Sequence, residues 1–246
     1  MRCFMMKFSL AVVLSLTISS PIFAQTSAPP GTAPATASMP DLSGVWGGAG
    51  PLFSREDPPL QPWAREIYLR NRRGVQPGEQ GLDELDPYNY CFPPGMTRAM
   101  INNPFELIQL PHRITVLTEV TNATRQIHLD GRGHPEGWPF GWNGHSIGKW
   151  EKDTLVVDTV GFNDKTWIDR GGTPHSDALH VVERIRRLNQ STLEIEFLFE
   201  DRKAYTRPWG ATKTFRLQPF DDILPFIECE EFLEVGGRPW MTQPAK

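Results

Sequence analysis

LHVVERIRRLNQSTLEIEFLF (Leu179–Phe199) is the stretch whose reading decides the fold. In its second half Leu193, Ile195, Phe197 and Phe199 fall on one face and Glu194 and Glu196 on the other. That period of two describes a strand with one buried face. Leu179–Leu188 reads as the partner strand, and Asn189-Gln190-Ser191 joins the two as a hairpin turn. Upstream, Arg113–Thr121 alternates Ile114, Val116, Thr118 and Val120 against Thr115, Leu117 and Glu119, turns through 121–124 and returns over Arg125–Asp130. Lys149–Val160 holds another pair of runs around Lys152-Asp153, and Thr212–Leu217 and Phe226–Phe232 read as further strands. No helical pattern of ten or more residues separates them, which argues against a parallel βαβ architecture. The expected fold is all-β: a single antiparallel, barrel-like domain, closed or nearly so.

Toward the N-terminus the pattern changes. Residues 48–95 are rich in Pro, Gly and Asp and predict a long loop region around the barrel. One short helix is expected there, with Pro62 in its first turn, Trp63, Ile67 and Arg70 spaced along one side, and an end before Gly74. Order should begin near Asp41. Gly44-Val45-Trp46 resembles the first strand of lipocalin-type barrels, where the tryptophan closes one end, so the expected barrel is calycin-like or lipocalin-like. Residues 25–40 form a Pro/Ala/Thr/Ser linker without apolar periodicity. Arg2 and Lys7, the apolar run Phe8–Leu16 and the small Ala24 describe a signal peptide cleaved after Ala24. The reading is therefore signal peptide 1–24, linker 25–40 and one β-rich domain 41–246, periplasmic or secreted.

The formal net charge is −4, and loss of the leader removes Arg2 and Lys7 but no acid. An acidic chain without a basic cluster argues against nucleic acid or, after cleavage, a membrane as partner. Cys91 and Cys229 are then the remaining cysteines. In an oxidising compartment they suggest one disulfide, worth about 4–5 kcal/mol for so long a loop; two buried free thiols are the alternative.

Chemistry concentrates between Gly137 and Arg187, which holds four of the eight tryptophans and three of the six histidines. Rigid aromatic surface mixed with titratable groups suits a pocket better than a core. Two strands place an acid on an apolar face: Asp158 with Val156 and Val160, and Glu183 with Leu179, Val181 and Ile185. Such an acid must be ion-paired, as in a structural pair with an arginine inside the barrel, or carry a raised pKa suited to acid–base work. Asp130-Gly131-Arg132-Gly133-His134-Pro135 presents an acid, a guanidinium and an imidazole at a strand end, and residues 163–176 form a second presentation loop with Asp169 and His175.

Two sharper mechanisms are open. Gly144-His145-Ser146-Ile147-Gly148 fits G-x-S-x-G, but that motif needs a strand–turn–helix elbow, and a strand pattern follows here. A metal site lacks His-x-His, H-E-x-x-H or paired cysteines, although His145, His175 and His180 with a carboxylate could converge in space.

GHSIGKWEKDTLVVDTVGFND (144–164) and TPHSDALHVVERIRRL (173–188) resemble the signature of a large family of secreted bacterial proteins. Similar text includes Asp41–Trp46, Cys91–Gly95, Asp130-Gly131-Arg132 and Glu228-Cys229-Glu230, so the resemblance spans about residues 41–235. It implies export and a shared fold with a common site, assigns no catalytic role to any residue, and points toward bacteria that degrade plant-derived aromatic compounds.

The functional expectation is an exported, cofactor-independent enzyme of the lyase or isomerase type, acting on a small, oxygenated, plant-derived aromatic molecule. His145 or His175 would move protons, Asp158 or Asp169 would orient the histidine, and Trp138, Trp142 and Trp167 would supply stacking walls. Arg132 would hold an anionic or phenolic oxygen, with His134 and Glu183 also lining the site. The alternatives are a lipocalin-like small-molecule binder and a hydrolase using Ser146 or a metal.

Overall fold

The computed structural model describes residues 39–48, 53–54, 56–73, 85–90, 92–119 and 124–219. The expected signal peptide, most of the linker, Cys91, Cys229 and the expected strand Phe226–Phe232 lie outside the described residues. Nine strands close a mixed β-barrel in the order β1 (Gly44–Gly47), β3 (Phe105–Leu110), β4 (Arg113–Thr118), β5 (Thr124–His128), β6 (His145–Glu151), β7 (Thr154–Val160), β8 (His180–Asn189), β9 (Thr192–Glu200) and β10 (Trp209–Leu217), with β1 pairing back onto β10. β2 (Phe53–Ser54) adds to the outside edge of β10. The all-β barrel and its three hairpins agree with the alternation in the sequence. Among the described residues, no helix is long and apolar enough to cross a membrane.

One pairing departs from the antiparallel expectation. β5 and β6 run parallel, with Ile127 opposite Ser146 and His128 opposite Ile147. Parallel neighbours cannot be joined by a tight turn, so the chain needs a crossover. Residues 129–144 provide it. Leu129 N–H donates to His112 O at 2.8 Å at one end, and Gly141 N–H donates to Gly161 O at 2.9 Å at the other. This crossover positions the site.

The inward rows build the core. Ile114 and Val116, Leu155 and Val157, Val181 and Ile185, and Leu193 to Phe199 in steps of two are all buried. Each fully buried large side chain contributes about 1.5–3 kcal/mol. Trp46 is fully buried, donates Nε1–H to Leu42 O at 2.9 Å and lies 5.3 Å beneath the Arg187 guanidinium. The helix α1 (Pro62–Asn71) forms where Pro62 predicts it. A second helix, α2 (Met96–Asn102), was not expected: Met96 to Ile101 are all buried, so no polar face marks them as helical. α2 packs into the core with Phe105, Val116 and Ile127, and Arg98 is held by a buried ion pair with Asp86.

Inside the barrel, Arg125 and Glu183 form a buried ion pair, with Glu183 fully covered. Arg125 Nε donates to Ser146 Oγ at 2.9 Å, Nη1 to Glu183 Oε1 at 3.0 Å and to Met100 Sδ at 3.7 Å, and Nη2 to Thr159 Oγ1 at 2.9 Å and to Glu183 Oε2. All five guanidinium hydrogens are spent. Of the two accounts of an acid on an apolar strand face, Glu183 follows the structural one.

Candidate functional site

The alternation that sends Val181, Glu183 and Ile185 inward sends His180 outward. On neighbouring strands it sends out His128, His145, Asp158 and Glu200, while Ile127, Ser146, Thr159 and Phe199 point in. Register brings these outer residues together at one end of the wall: His145 lies opposite Val160, Asp158 opposite Val182 and His180 opposite Glu200. The crossover then lays His134 and Trp138 over them.

The result is a chain of hydrogen bonds. Glu200 Oε2 is 2.8 Å from His180 Nδ1, and His180 Nε2 is 3.0 Å from Asp158 Oδ1. The same Asp158 oxygen is 3.0 Å from His134 Nε2, and His134 Nδ1 is 2.8 Å from His145 Nδ1. His128 stacks on His145 with ring centroids 5.4 Å apart, and Trp138 lies against the His145 ring at 4.6 Å. His145 is largely covered, and among the described residues its Nε2 has no hydrogen-bond partner.

Charge states follow from partners. The hydrogen bond to Asp158 raises the pKa of His180 above that of a free histidine, and Glu200 adds to this. The hydrogen bond to His180 holds Asp158 below the usual carboxylate range. Asp158 is therefore an outward, ionised acceptor, not a protonated acid on a buried face. Burial lowers the pKa of His145, with His134 and His128 acting the same way, so its ring is neutral near pH 7. Burial also lowers that of His128.

Local backbone explains the glycines of this segment. Gly144 has φ +65°, and a Cβ there would meet Val160 O at 2.6 Å, so the glycine before His145 serves a close strand approach and not a nucleophile elbow. Ser146 faces the interior, where its hydroxyl partners are Arg125 and Thr159. Gly161 has φ +79°, and a Cβ there would meet Trp138 Cδ1 at 3.0 Å. The indole is seated on bare backbone.

Of the residues singled out in the sequence, His134, His145, Asp158 and Trp138 meet on the outer wall. Arg132 is on the same crossover but binds Asp130, whose carboxyl it holds at about 2. His175 lies elsewhere and is buried: its Nδ1–H donates to Ser176 O at 3.0 Å, so Nε2 accepts from the Thr166 hydroxyl at 2.7 Å. Burial depresses its pKa and keeps it neutral. Trp142 and Trp167 line a void beside it with Met96, Phe162 and Thr166, with room for about one water. Trp167 is itself buried, 5.4 Å from the Arg98 guanidinium. Asp169 closes the turn to Thr173, accepting from its N–H at 3.3 Å and its hydroxyl at 3.1 Å. Burial pushes the Asp169 carboxyl up. His128 and Glu200 were missed, and His180 stood out as a possible metal ligand with His145 and His175, not as part of this series. Their signal was the parity already used for the core, followed along its polar side.

Among the described residues, no group of three His, Cys, Asp or Glu side chains could hold a metal ion. No family model matches the chain, and comparisons with curated proteins and with solved structures give no match either.

Proposed function

We propose that this protein is an exported, cofactor-independent enzyme of the lyase or isomerase type, in which His145 removes a proton from a small, oxygenated aromatic molecule. The observation that carries the reading is the bonded series Asp158–His134–His145 ending at a ring nitrogen with no hydrogen-bond partner among the described residues. A neutral imidazole whose other nitrogen is held by a fixed partner has the tautomer and orientation of a general base. Elimination and isomerisation need such a base and positioning but no covalent nucleophile, and the nearby Ser146 hydroxyl is committed to the interior network. Trp138, against the His145 ring, offers an apolar wall beside the base. Arg132, half exposed, stands at the rim, where its pair with Asp130 would have to share the guanidinium with a phenolic oxygen.

A lipocalin-like binder is the second reading, favoured by the closed barrel and the Gly44–Trp46 strand. The lumen that such a binder would use is occupied by the Arg125–Glu183 network and by α2. A binding role would therefore fall to the same outer wall.

The test incubates residues 25–246, metal-depleted and metal-replete, with plant-derived phenolics, esters and lactones, and follows products by liquid chromatography with mass detection. A new mass formed without metal and reduced about 10²–10⁴-fold in His145→Asn is the expected result. Compounds that co-purify unchanged would put binding in its place, and turnover undiminished in His145→Asn would remove the proposed base.

A further inference from the structure

We infer that His134 and His145 act as a single two-ring base, and that the crossover carries half of it. The inference rests on the reading of His145 as the proton acceptor and concerns where the resulting charge goes. Two imidazole nitrogens 2.8 Å apart are within hydrogen-bond range and share one proton. Asp158 Oδ1 accepts from His134 Nε2 at 3.0 Å, so in the neutral pair His134 Nδ1 is the acceptor and His145 Nδ1 the donor. The lone pair of His145 then sits on Nε2, the atom without a hydrogen-bond partner among the described residues.

The transfer balances as follows. A substrate C–H bond breaks, its electron pair stays on the substrate, and an N–H bond forms at His145 Nε2. The N–H bond at His145 Nδ1 breaks and one forms at His134 Nδ1. His145 changes tautomer but stays neutral, and the positive charge comes to rest on His134 against the Asp158 carboxylate. The reverse movement returns the proton to the product.

Surroundings favour this direction. His145 is 4 % exposed, stacked on His128 and covered by Trp138, a poor place for a cation. His134 is more open, at 22 %, and bonded to an anion. The charged or titratable groups facing the pair are Asp158 on β7, His180 on β8 with Glu200 on β9, His128 on β5, and Asp130 and Arg132 on the crossover. His180 is shared between Asp158 and Glu200, one ring against two carboxylates, and Arg132 is paired with Asp130, so a net negative charge remains beside His134.

His134 acts through His145 and is a positioning residue. Among the described residues, the side chains that tie 130–140 to the wall are His134 and Trp138. The crossover, and not a barrel strand, therefore supplies the second ring of the base.

The test is NMR of residues 25–246 carrying ¹⁵N-labelled histidine, titrated from pH 8 to pH 5 without substrate. On acidification His145 should exchange tautomers, with Nε2 becoming protonated and Nδ1 unprotonated, as His134 gains its second proton. In His134→Gln the exchange should be lost, and His145 should take a proton on both nitrogens like an isolated ring. Asp158→Asn, on the wall and not on the crossover, should move the exchange to lower pH. Simultaneous protonation of both His145 nitrogens in the unaltered protein, exchange that survives in His134→Gln, or exchange unmoved in Asp158→Asn would each overturn the two-ring base. Because no substrate is present, a protein that turns over compounds without tautomer exchange loses this inference alone, and one with exchange but no turnover loses only the proposed reaction.

Discussion

The strands β5 to β8 carry two ionic networks, one on each side of the barrel wall. Inside, Arg125, Glu183, Ser146 and Thr159 form a closed set in which every guanidinium hydrogen has an acceptor. An arginine holds its proton at any ordinary pH, so this network has nothing to give away. Outside, His134, His145 and His180 are imidazoles, a type of group that can take up and give back a proton, strung on the Asp158 carboxylate in a series that ends at an unspent nitrogen. Burial is greater inside; the groups that can exchange a proton lie outside. A polar cluster in a strand sequence is a candidate site when it has an exchangeable proton and an unpartnered atom, and burial alone selects the wrong side of the wall.

The largest expected effect tests the inner half of this contrast. Glu183→Leu leaves Arg125 buried and unpaired and should lower unfolding free energy by about 3–5 kcal/mol, read by urea denaturation. The double variant Arg125→Met/Glu183→Leu should recover most of it. A loss below about 1 kcal/mol for Glu183→Leu would place the inner pair on the same footing as an exposed one.

Next, the two histidines that looked equivalent in the sequence should separate. His175→Asn disturbs the bonds to Thr166 and Ser176 in a sealed site and should destabilise the protein by about 1–3 kcal/mol. His145→Asn also changes a covered site, but it gives up the base itself and should remove turnover in protein that remains folded. A thermally unchanged His175→Asn would return that residue to the list of candidate catalysts.

The smallest effect concerns His180. Its pKa is raised in the folded protein, so its contribution is complete below the ordinary histidine value near 6.5 and fades as pH rises through the raised value. The gap in unfolding free energy between the unaltered protein and His180→Asn, read by urea denaturation, should be widest near pH 6, vanish in the alkaline range, and stay within about 1 kcal/mol because the partners are part-exposed. A gap that widened with rising pH would reverse the charge assignment.

Alternation made the hairpins legible, because a period of two survives wherever one face is buried and the other wet. Leu193–Phe199 is the clearest case, with four inward apolar residues and two outward acids. α2 was illegible for the opposite reason, since a helix buried on all sides has no face to show. The parallel β5–β6 junction was hidden too, because Arg125–His128 and His145–Glu151 have the same alternation whichever way they run. The wall site was half legible. His134, His145 and Asp158 stood out by residue type, but pairing them needs a crossover whose path no local pattern specifies. Asp169, His175 and Trp167 stood out equally and serve turns, a buried bond and a cation contact.

A hairpin turn fixes the register of the strands it joins; the crossover does not have to, because β4 also holds β5 and β7 also holds β6. Residues 130–140 are thus an exchangeable cassette between the anchors at Leu129 and Gly141. Doubling their length would add only about 0.6 kcal/mol of closure entropy and leave the nine-strand frame in place. Other sequences could be grafted onto this scaffold around a retained His134, while His145, Asp158 and His180 stay unchanged on the wall beneath it.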